Sequence, residues 1–228
     1  MWGFFYSIWY NRTMKIALLI FIFSLPIFAK GKIFSLGAGV WNPSISSDTS
    51  DGFNGEELIH DFENSKFLRL AHEGLLDKSL LYVVSLGVNL SEAKVQYSFE
   101  GDSSTTSLED LEADISMVEI KLGVKYNLGQ SFYFGFGALV GDFQITYQRD
   151  DYLDALGGTN AENFVKSENE NYLGHYAEVG TMLVSKYFGF RLGVEYNSIT
   201  LQNDLETLGT KQPILDSSKF YIEIIWKN

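Results

Sequence analysis

Cysteine is absent from this chain of 228 residues, and proline and histidine each occur only three times. Without cysteine the protein has no disulfide bond and no thiolate metal site. The histidines, His60, His72 and His175, lie far apart in the sequence and show no zinc-ligand spacing. The fold must therefore be held by backbone pairing and side-chain packing.

Basic residues are also scarce, because 17 Lys and Arg stand against 29 Asp and Glu and give a formal net charge of −12. Nucleic-acid binding requires Lys and Arg to neutralise phosphates, so the composition excludes nucleic acid as an expected partner. Beyond residue 30 no apolar run approaches the roughly 20 residues of a membrane-spanning helix. A membrane protein without such helices can only be a closed β-barrel, since lipid tolerates no unpaired backbone.

The N-terminal residues 1–29 are predicted to be a signal peptide. Met14-Lys15 supplies a positive start, residues 16–28 form a mainly apolar run, and Ala29 is a small residue at the expected cleavage point. We expect translation to begin at Met14; the alternative is an uncleaved N-terminal anchor. No cysteine follows the run, so lipoprotein-type lipid attachment is excluded. Residues 30–228 then form a single domain.

Strict alternation of apolar and polar residues is the main pattern of the remaining chain. It is seen from Val118 to Tyr126, from Phe188 to Tyr196 and from Phe220 to Trp226. A period of two is typical of β-strands that meet an apolar phase on one face and a polar phase on the other. Segments of about ten such residues after a signal peptide predict a transmembrane β-barrel.

The pattern predicts eight strands with alternating short and long connections. In the third strand the apolar phase shifts after Glu92, which predicts a β-bulge. Four long connections on one rim, and three short turns with both termini on the other, are typical of an outer-membrane barrel. The predicted strands are 32–42, 66–73, 80–99, 115–126, 131–147, 174–187, 188–201 and 218–226, the short turns are 74–79, 127–130 and 186–188, and the long loops are 46–65, 101–114, 149–172 and 202–217.

Over residues 30–228 this pattern resembles the small eight-stranded outer-membrane barrels of the OmpA-, OmpX- and OmpW-like group. The best local match is the last strand, in which Phe220, Ile222, Ile224 and Trp226 alternate toward an aromatic end, although two further residues follow. That end is similar to the terminal signal read by the barrel assembly machinery. The resemblance implies an all-β, eight-stranded antiparallel up-and-down transmembrane β-barrel of the bacterial outer membrane. It also implies a monomer in contact with outer-membrane lipid and lipopolysaccharide.

The polar strand face is predicted to line the lumen. A secreted lipocalin-type barrel, apolar inside and polar outside, is the alternative. The membrane arrangement is favoured because a narrow interior requires small residues, because the apolar face matches a band about 25 Å tall, and because aromatics near strand ends fit interfacial girdles. The glycines are Gly37, Gly39, Gly87, Gly123, Gly135, Gly137, Gly180, Gly189 and Gly193, and the aromatics are Trp41, Tyr82, Tyr126, Tyr187, Phe188, Tyr196 and Trp226.

Charged residues on the polar face are the candidate functional residues. Inside a barrel they need partners, because an isolated buried charge costs several kcal/mol of desolvation. We expect ion pairs that fill the lumen, as eight strands leave an interior just wide enough for side chains. A polar path for protons, ions or a small solute is the alternative. The residues are Arg69, Glu119, Lys121, Lys125, Glu178, Arg191, Glu195 and Glu223.

No catalytic residue, cofactor or metal ligand is predicted. The Gly-x-Gly sequences lie inside strands and therefore do not indicate a nucleotide site. A lipid hydrolase on a barrel would need a His-Ser pair with an acid to orient the histidine. His175 and Glu178 offer two of these groups, but Ala177 stands where a serine would be attractive and Ser185 is about 33 Å away along a strand. A serine on a neighbouring strand remains open.

The predicted long loops are strongly acidic. Solvation of a charged rim is the simplest explanation, and weak binding of Ca²⁺ or Mg²⁺ that bridges to lipopolysaccharide phosphates is the alternative. The leading function is structural or surface interaction, and the second is a narrow channel similar to the OmpW-like group. The acids are Asp48, Asp51, Glu56, Glu57, Glu109, Asp110, Glu112, Asp150, Asp151, Asp154, Glu162, Glu168 and Glu170.

Overall fold

The structure is a computed structural model that describes residues 32–46, 56–99, 108–147, 168–201 and 214–227. The predicted signal peptide, residues 1–29, lies outside the described residues. Within these ranges no helix is long and apolar enough to cross a membrane. The strands are β1 (Ile33–Ser46), β2 (Glu56–Leu75), β3 (Leu80–Phe99), β4 (Leu108–Leu128), β5 (Phe132–Tyr147), β6 (Glu168–Val184), β7 (Phe188–Leu201) and β8 (Ile214–Lys227).

The eight strands form one closed antiparallel barrel. Each strand pairs with the next in sequence, and β1 pairs with β8 to close the sheet. Short connections, residues 76–79, 129–131 and 185–187, lie at the end where β1 begins and β8 ends. Gly129 has a φ of 70° in the second of these turns, a conformation that glycine adopts without steric cost. The predicted fold class is confirmed.

An apolar band surrounds the half of the barrel that carries the short turns. On β7 the alternate side chains from Phe188 to Tyr196 face outward, and Phe190 and Leu192 are each more than half exposed. Eight residue steps at about 3.3 Å each make this stretch about 26 Å long along the strand. An apolar exterior of this extent around a charged interior fits a membrane-spanning barrel and does not fit the lipocalin-type alternative.

Outward-facing aromatics lie at the edge of this band that is nearest the short turns. Tyr126, Phe188 and Trp226 lie near the short turns and are between about one third and three fifths exposed. Tyr196 lies toward the other edge of the band. The prediction for Trp41 is wrong, because this ring faces the interior and is only 2% exposed. Trp41 alternates in step with Ser35, Gly37 and Gly39 on β1, so strand geometry puts it on the same inward face.

Most strands extend further away from the short turns than the sequence pattern predicted. β2 begins at Glu56 rather than at residue 66, β4 at Leu108 rather than 115, β6 at Glu168 rather than 174, and β8 at Ile214 rather than 218. Throughout the half of the barrel away from the short turns, these extensions included, the polarity of the two faces is inverted. Polar outward residues there include Asn42, Ser44, Glu63, Lys94, Asp114, Thr146, Asn171, Thr200 and Asp216, whereas Trp41, Ala93, Ile115, Phe143, Ile145, Ile199, Leu201 and Leu215 are buried inside.

The predicted β-bulge after Glu92 is wrong. The β3–β4 ladder keeps one register from Leu80 to Val95, and Ala93 faces the interior as Ser91 does. The register shifts lie elsewhere, one in the β2–β3 ladder between Glu63 and Lys66 and one in the β3–β4 ladder between Val95 and Tyr97. In each case the additional residue is on the partner strand, β2 or β4. The change of pattern in β3 therefore reflects the inverted surroundings and not an extra residue in that strand.

One seam of the barrel is shorter than the others. The β1–β2 ladder has eight residue pairs and ends at Val40 and Lys66, although β1 continues to Ser46. On its other side, β1 stays paired with β8 up to Ser46. Pro43 lies in this half-paired stretch, which is consistent with its missing backbone N–H, because proline in sheets is found at edges.

Candidate functional site: the charge network of the lumen

Among the described residues, the lumen contains ten charged side chains, five cationic and five anionic. They are Arg69, Lys121, Lys125, Arg191 and Lys219, and Glu73, Glu119, Glu178, Glu195 and Glu223, and each is at most 4% exposed. All eight charged residues predicted to face the lumen belong to this set. Because the two signs are equal in number, the formal charge of the network is zero.

Six of the ten residues form a closed ring of alternating charge. Arg69 contacts Glu223 through Nε at 2.8 Å, and Arg191 donates to Glu223 at 2.8 Å and to Glu73 at 2.7 and 2.9 Å. The ring closes through Lys125 Nζ, which lies 2.7 Å from Glu73 and 3.0 Å from Glu178, with Arg69 at 3.4 Å from Glu178. Every member of this ring therefore has opposite charges on two sides.

The other four residues form a second cluster joined to the first at Arg69. Arg69 Nη1 lies 2.6 Å from Glu195, which also contacts Lys121. Lys121 lies 3.0 Å from Glu119, and Lys219 donates to both oxygens of Glu119 at 2.7 Å. Every buried charge of the network is therefore paired with an opposite charge. Not every hydrogen-bonding group is satisfied, however, since Arg191 Nε has no hydrogen-bond partner among the described residues.

Each lumen cation also lies over an aromatic ring. Cation-to-centroid distances are 4.2 Å for Arg69 over Tyr221, 5.3 Å for Lys121 over Tyr176 and 5.3 Å for Lys219 over Phe67. Lys125 and Arg191 both lie 4.9 Å from the ring of Tyr133. Such contacts stabilise a desolvated cation by up to about 2 kcal/mol. The aromatic rings thus stabilise the lumen cations in addition to the carboxylates.

Glycine makes room for these large side chains. Gly180, Gly137 and Gly39 are the register partners of Tyr133, Tyr176 and Phe67, and Gly87 and Gly37 are those of Glu119 and Glu223. A Cβ atom on Gly180 would come within 2.3 Å of the Tyr133 hydroxyl, and one on Gly87 within 2.7 Å of Glu119. The glycine-rich inward face therefore follows from the crowded interior.

Apolar clusters lie on both sides of the charge network. Toward the short turns Ile33, Leu81 and Ile225 pack together with Val184. Toward the opposite end a larger buried cluster contains Trp41, Phe67, Ile115, Met117, Phe143, Ile145, Ile199 and Leu215. Along β8 the inward residues run from Leu215 through Lys219 and Glu223 to Ile225, which is the order of these layers along the barrel axis.

Some buried polar atoms outside the charge network have no partner. Both side-chain atoms of Asn89, the Nε1 of Trp41 and the Oδ1 of Asn197 are buried and have no hydrogen-bond partner among the described residues. The Asn197 Nδ2 donates to Ser217 at a long 3.5 Å. Buried polar groups of this kind are commonly satisfied by ordered water.

The sequence reasoning missed two members of the network, Glu73 and Lys219. Both could have been found from the alternation alone. Glu73 follows Arg69 at an interval of four residues on the same face of β2, and Lys219 precedes Glu223 at the same interval on β8. The partners across the barrel could not be deduced in this way, because they depend on the stagger of the strands.

The structure gives the histidine and serine of a possible hydrolase a definite arrangement. His175 on β6 is the register partner of Ser198 on β7, and Ser198 is the partner of Asp216 on β8. The carboxylate therefore stands beside the serine, whereas in a catalytic triad it must stand beside the histidine. Within the described ranges no three His, Cys, Asp or Glu side chains are grouped so that they could hold a metal ion.

The acidic residues assigned to loops are divided by the structure. Glu56 and Glu57 lie in β2, residues 109, 110 and 112 in β4, and Glu168 and Glu170 in β6, so the loop assignment is wrong for these seven. The reason is the inverted polarity, which gives strand extensions the composition of a solvated loop. Asp48, Asp51, Asp150, Asp151, Asp154 and Glu162 lie outside the described residues.

Together, the closed sheet, the outer apolar band and the charged lumen define an eight-stranded transmembrane β-barrel protein. The chain is similar to OprG of Pseudomonas aeruginosa, with 15% identity, a TM-score of 0.43, and coverage of 88% of this chain and 97% of that one. It is also similar to Ail of Yersinia pestis, with 12% identity, a TM-score of 0.47, and coverage of 87% and 100%.

A further similar structure is Neisserial surface protein A, with 12% identity, a TM-score of 0.43, and coverage of 87% of this chain and 97% of that one. These solved structures are small outer-membrane barrels. No protein-family model matches the chain, and no curated protein sequence matches it.

Proposed function

We propose that this protein is a non-enzymatic barrel of the bacterial outer membrane with a structural or surface-interaction role and a lumen closed by ion pairs. The observation that carries the proposal is the neutral network of ten buried charges between two apolar clusters. Moving an ion along the axis would require breaking these pairs and crossing both clusters, and breaking one buried pair alone costs about 3–5 kcal/mol.

The test is conductance of the purified barrel in planar lipid bilayers. We expect no discrete current steps from the wild type, and no change on substituting Arg191→Gln, because a closed lumen carries no current to be altered. Insertion is verified separately by protection of the membrane-embedded strands from protease. Reproducible steps whose ion selectivity changes in Arg191→Gln or Glu195→Gln would contradict the closed lumen.

A narrow path for protons or small ions is the second candidate. It is favoured by polar atoms of Asn89, Trp41 and Asn197 that have no hydrogen-bond partner in the part of the chain that the structure describes, and that a file of water molecules would satisfy. In that case Asn89→Leu should reduce a measurable proton flux into vesicles, whereas the closed-lumen proposal expects no flux in either protein.

For the outer rim we propose that divalent cations bridge carboxylates to lipopolysaccharide phosphates. Glu63, Glu92 and Asp114 are successive register partners across β2, β3 and β4 and lie just beyond the apolar band, with Lys94 at 2.9 Å from Glu63. Within the described ranges these carboxylates do not form a metal site by themselves. Like charges directly opposite one another destabilise a sheet, and a bridged cation would take its remaining ligands from phosphate oxygens.

This proposal is tested by thermal unfolding in vesicles that contain lipopolysaccharide, with Mg²⁺ or with EDTA. We expect Mg²⁺ to raise the midpoint in the wild type and to have less than half that effect in Asp114→Asn/Glu92→Gln. An equal effect of Mg²⁺ on both proteins would show that the cation acts on the lipid alone.

A further inference from the structure

The end of the barrel that carries the short turns opens into a cavity of about 490 Å³. Inward-facing ends of β1, β3 and β8 supply Ile33, Leu81 and Lys227, and the turns supply Lys78 and Lys186. A volume of this size is within the range of small-molecule sites, about 300–1,000 Å³. The cavity is separate from the charge network, because Ile33, Leu81 and Ile225 form an apolar cluster between them.

The rim of this cavity is strongly basic. Lys32, Lys78, Lys186 and Lys227 all line it. Among the described residues of the three short turns the one acid is Asp77, whose Oδ1 accepts the backbone N–H of Lys78 at 2.7 Å. In the lumen the number of cations equals the number of carboxylates. At the rim of the cavity the lysines outnumber the carboxylates. The chain as a whole is acidic, so this excess of positive charge is local.

The wall of the cavity adds apolar surface and an amide. Leu75 and Tyr187 line it together with Ile33 and Leu81. Asn127 also lines it, and its Oδ1 is buried without a hydrogen-bond partner among the described residues. The site therefore offers several ammonium donors, one side-chain amide and an apolar floor that closes it toward the charge network.

We propose that this basic mouth, the cavity rimmed by Lys78, Lys186 and Lys227, binds a phosphate ester that carries an apolar group. Lysines on a concave wall of low dielectric constant concentrate anions through their summed field, and lysine ammonium groups are common phosphate ligands in proteins. The apolar floor accommodates the organic part of the molecule. The phosphate can belong to a soluble compound or to the headgroup of a phospholipid in the adjacent leaflet.

The first experiment is a titration of the barrel with phenyl phosphate, in nanodiscs made only of phosphatidylcholine and at low ionic strength. Amide chemical shifts of residues 77–81 and 185–188 report binding. We expect saturable binding that weakens at least tenfold in Lys186→Gln/Lys227→Gln. The matched control is Lys66→Gln/Lys94→Gln, which removes the same charge from exposed positions at the opposite end and should change the affinity less than twofold.

The second arm distinguishes the source of the phosphate by repeating the titration in nanodiscs that contain phosphatidylglycerol. A fivefold or larger loss of apparent affinity for phenyl phosphate identifies the lipid headgroup as the occupant, and an unchanged affinity identifies a soluble phosphate. The proposal is overturned if wild-type binding does not saturate. It is also overturned if the two double variants weaken binding equally, since net charge alone would then explain the effect.

Discussion

Arg191 joins two carboxylates of the lumen by three hydrogen bonds, with Nη1 and Nη2 donating to Glu73 and Nη1 also to Glu223. Substituting Arg191→Met keeps a long side chain but leaves two buried carboxylates with one fewer cation. We expect the free energy of unfolding to fall by about 3–5 kcal/mol, the usual effect of breaking a buried pair. This loss of stability is measured by urea titration of the barrel in lipid vesicles, with tryptophan fluorescence as the probe of unfolding.

The control for this substitution is Lys94→Met, which removes the 2.9 Å contact with Glu63 between side chains that are almost half exposed. An exposed pair contributes about 1 kcal/mol or less. The double variant Arg191→Met/Glu223→Gln restores charge balance and should recover part of the loss. Similar losses in Arg191→Met and Lys94→Met would contradict the assignment of the lumen network as the main electrostatic contribution.

Gly137 and Gly37 provide a second comparison between single residues. A Cβ on Gly137 would lie 2.2 Å from the Leu122 carbonyl oxygen, whereas the nearest atom to one on Gly37 is Glu223 Cγ at 2.7 Å. Backbone cannot move as easily as a side chain, so we expect Gly137→Ala to destabilise the barrel by about 1–3 kcal/mol and Gly37→Ala by less. The same urea titration measures both losses of stability. Equal losses in Gly137→Ala and Gly37→Ala would contradict the idea that Gly137 is needed for the close approach of neighbouring strands.

At the scale of single residues, the sequence was enough to assign faces but not contacts. Val118 to Tyr126 alternate because of covalent strand geometry, so the inward position of Glu119, Lys121 and Lys125 could be read directly. Which glutamate each lysine meets depends on strands far away in sequence. Lys219 meets Glu119 across 100 residues, a relation that no local pattern contains.

At the scale of elements, the half-paired part of β1 gives a prediction about backbone dynamics. From Ile33 to Val40 the strand is paired on both sides, whereas beyond Val40 it is paired with β8 alone. In hydrogen exchange, we expect alternate amides among residues 41–46 to exchange much faster than their neighbours, because only every second amide points toward β8.

Residues 33–40 serve as the internal control for that measurement and should be protected at every amide. Uniform protection of residues 41–46 would mean that another segment covers the free side of β1. Uniformly fast exchange would mean that the β1–β8 ladder also opens there. Either result would contradict the seam as described.

The strands also show where sequence patterns stop being informative. Inside the apolar band, as in β7, the predicted and observed bounds agree, since apolar residues face lipid. Beyond the band the exterior is polar and the interior apolar. For this reason the far ends of β2 and β4 have the composition of loops, and β3 shows a change of phase. A pattern of polarity assigns a strand correctly only when the surroundings of its two faces are known.

At the scale of the whole molecule, closure of the sheet predicts resistance to detergent. In sodium dodecyl sulfate without heating, the barrel should stay folded and migrate at an apparent size different from that of the boiled sample. Every strand is hydrogen-bonded on both sides along its membrane-embedded part, which leaves no edge from which unfolding can begin. Identical mobility before and after boiling would contradict a stable closed barrel.

The ladder between β1 and β8 joins residue 33 to residue 227, and it has fourteen residue pairs. The first strand to be synthesised therefore finds its second partner only when the last residues have been made. Such contacts of long sequence separation form slowly, because the ends of a long chain must meet before any pairing is gained. The barrel consequently cannot close before synthesis of the last strand, and loss of that strand would deprive the first strand of its longer ladder.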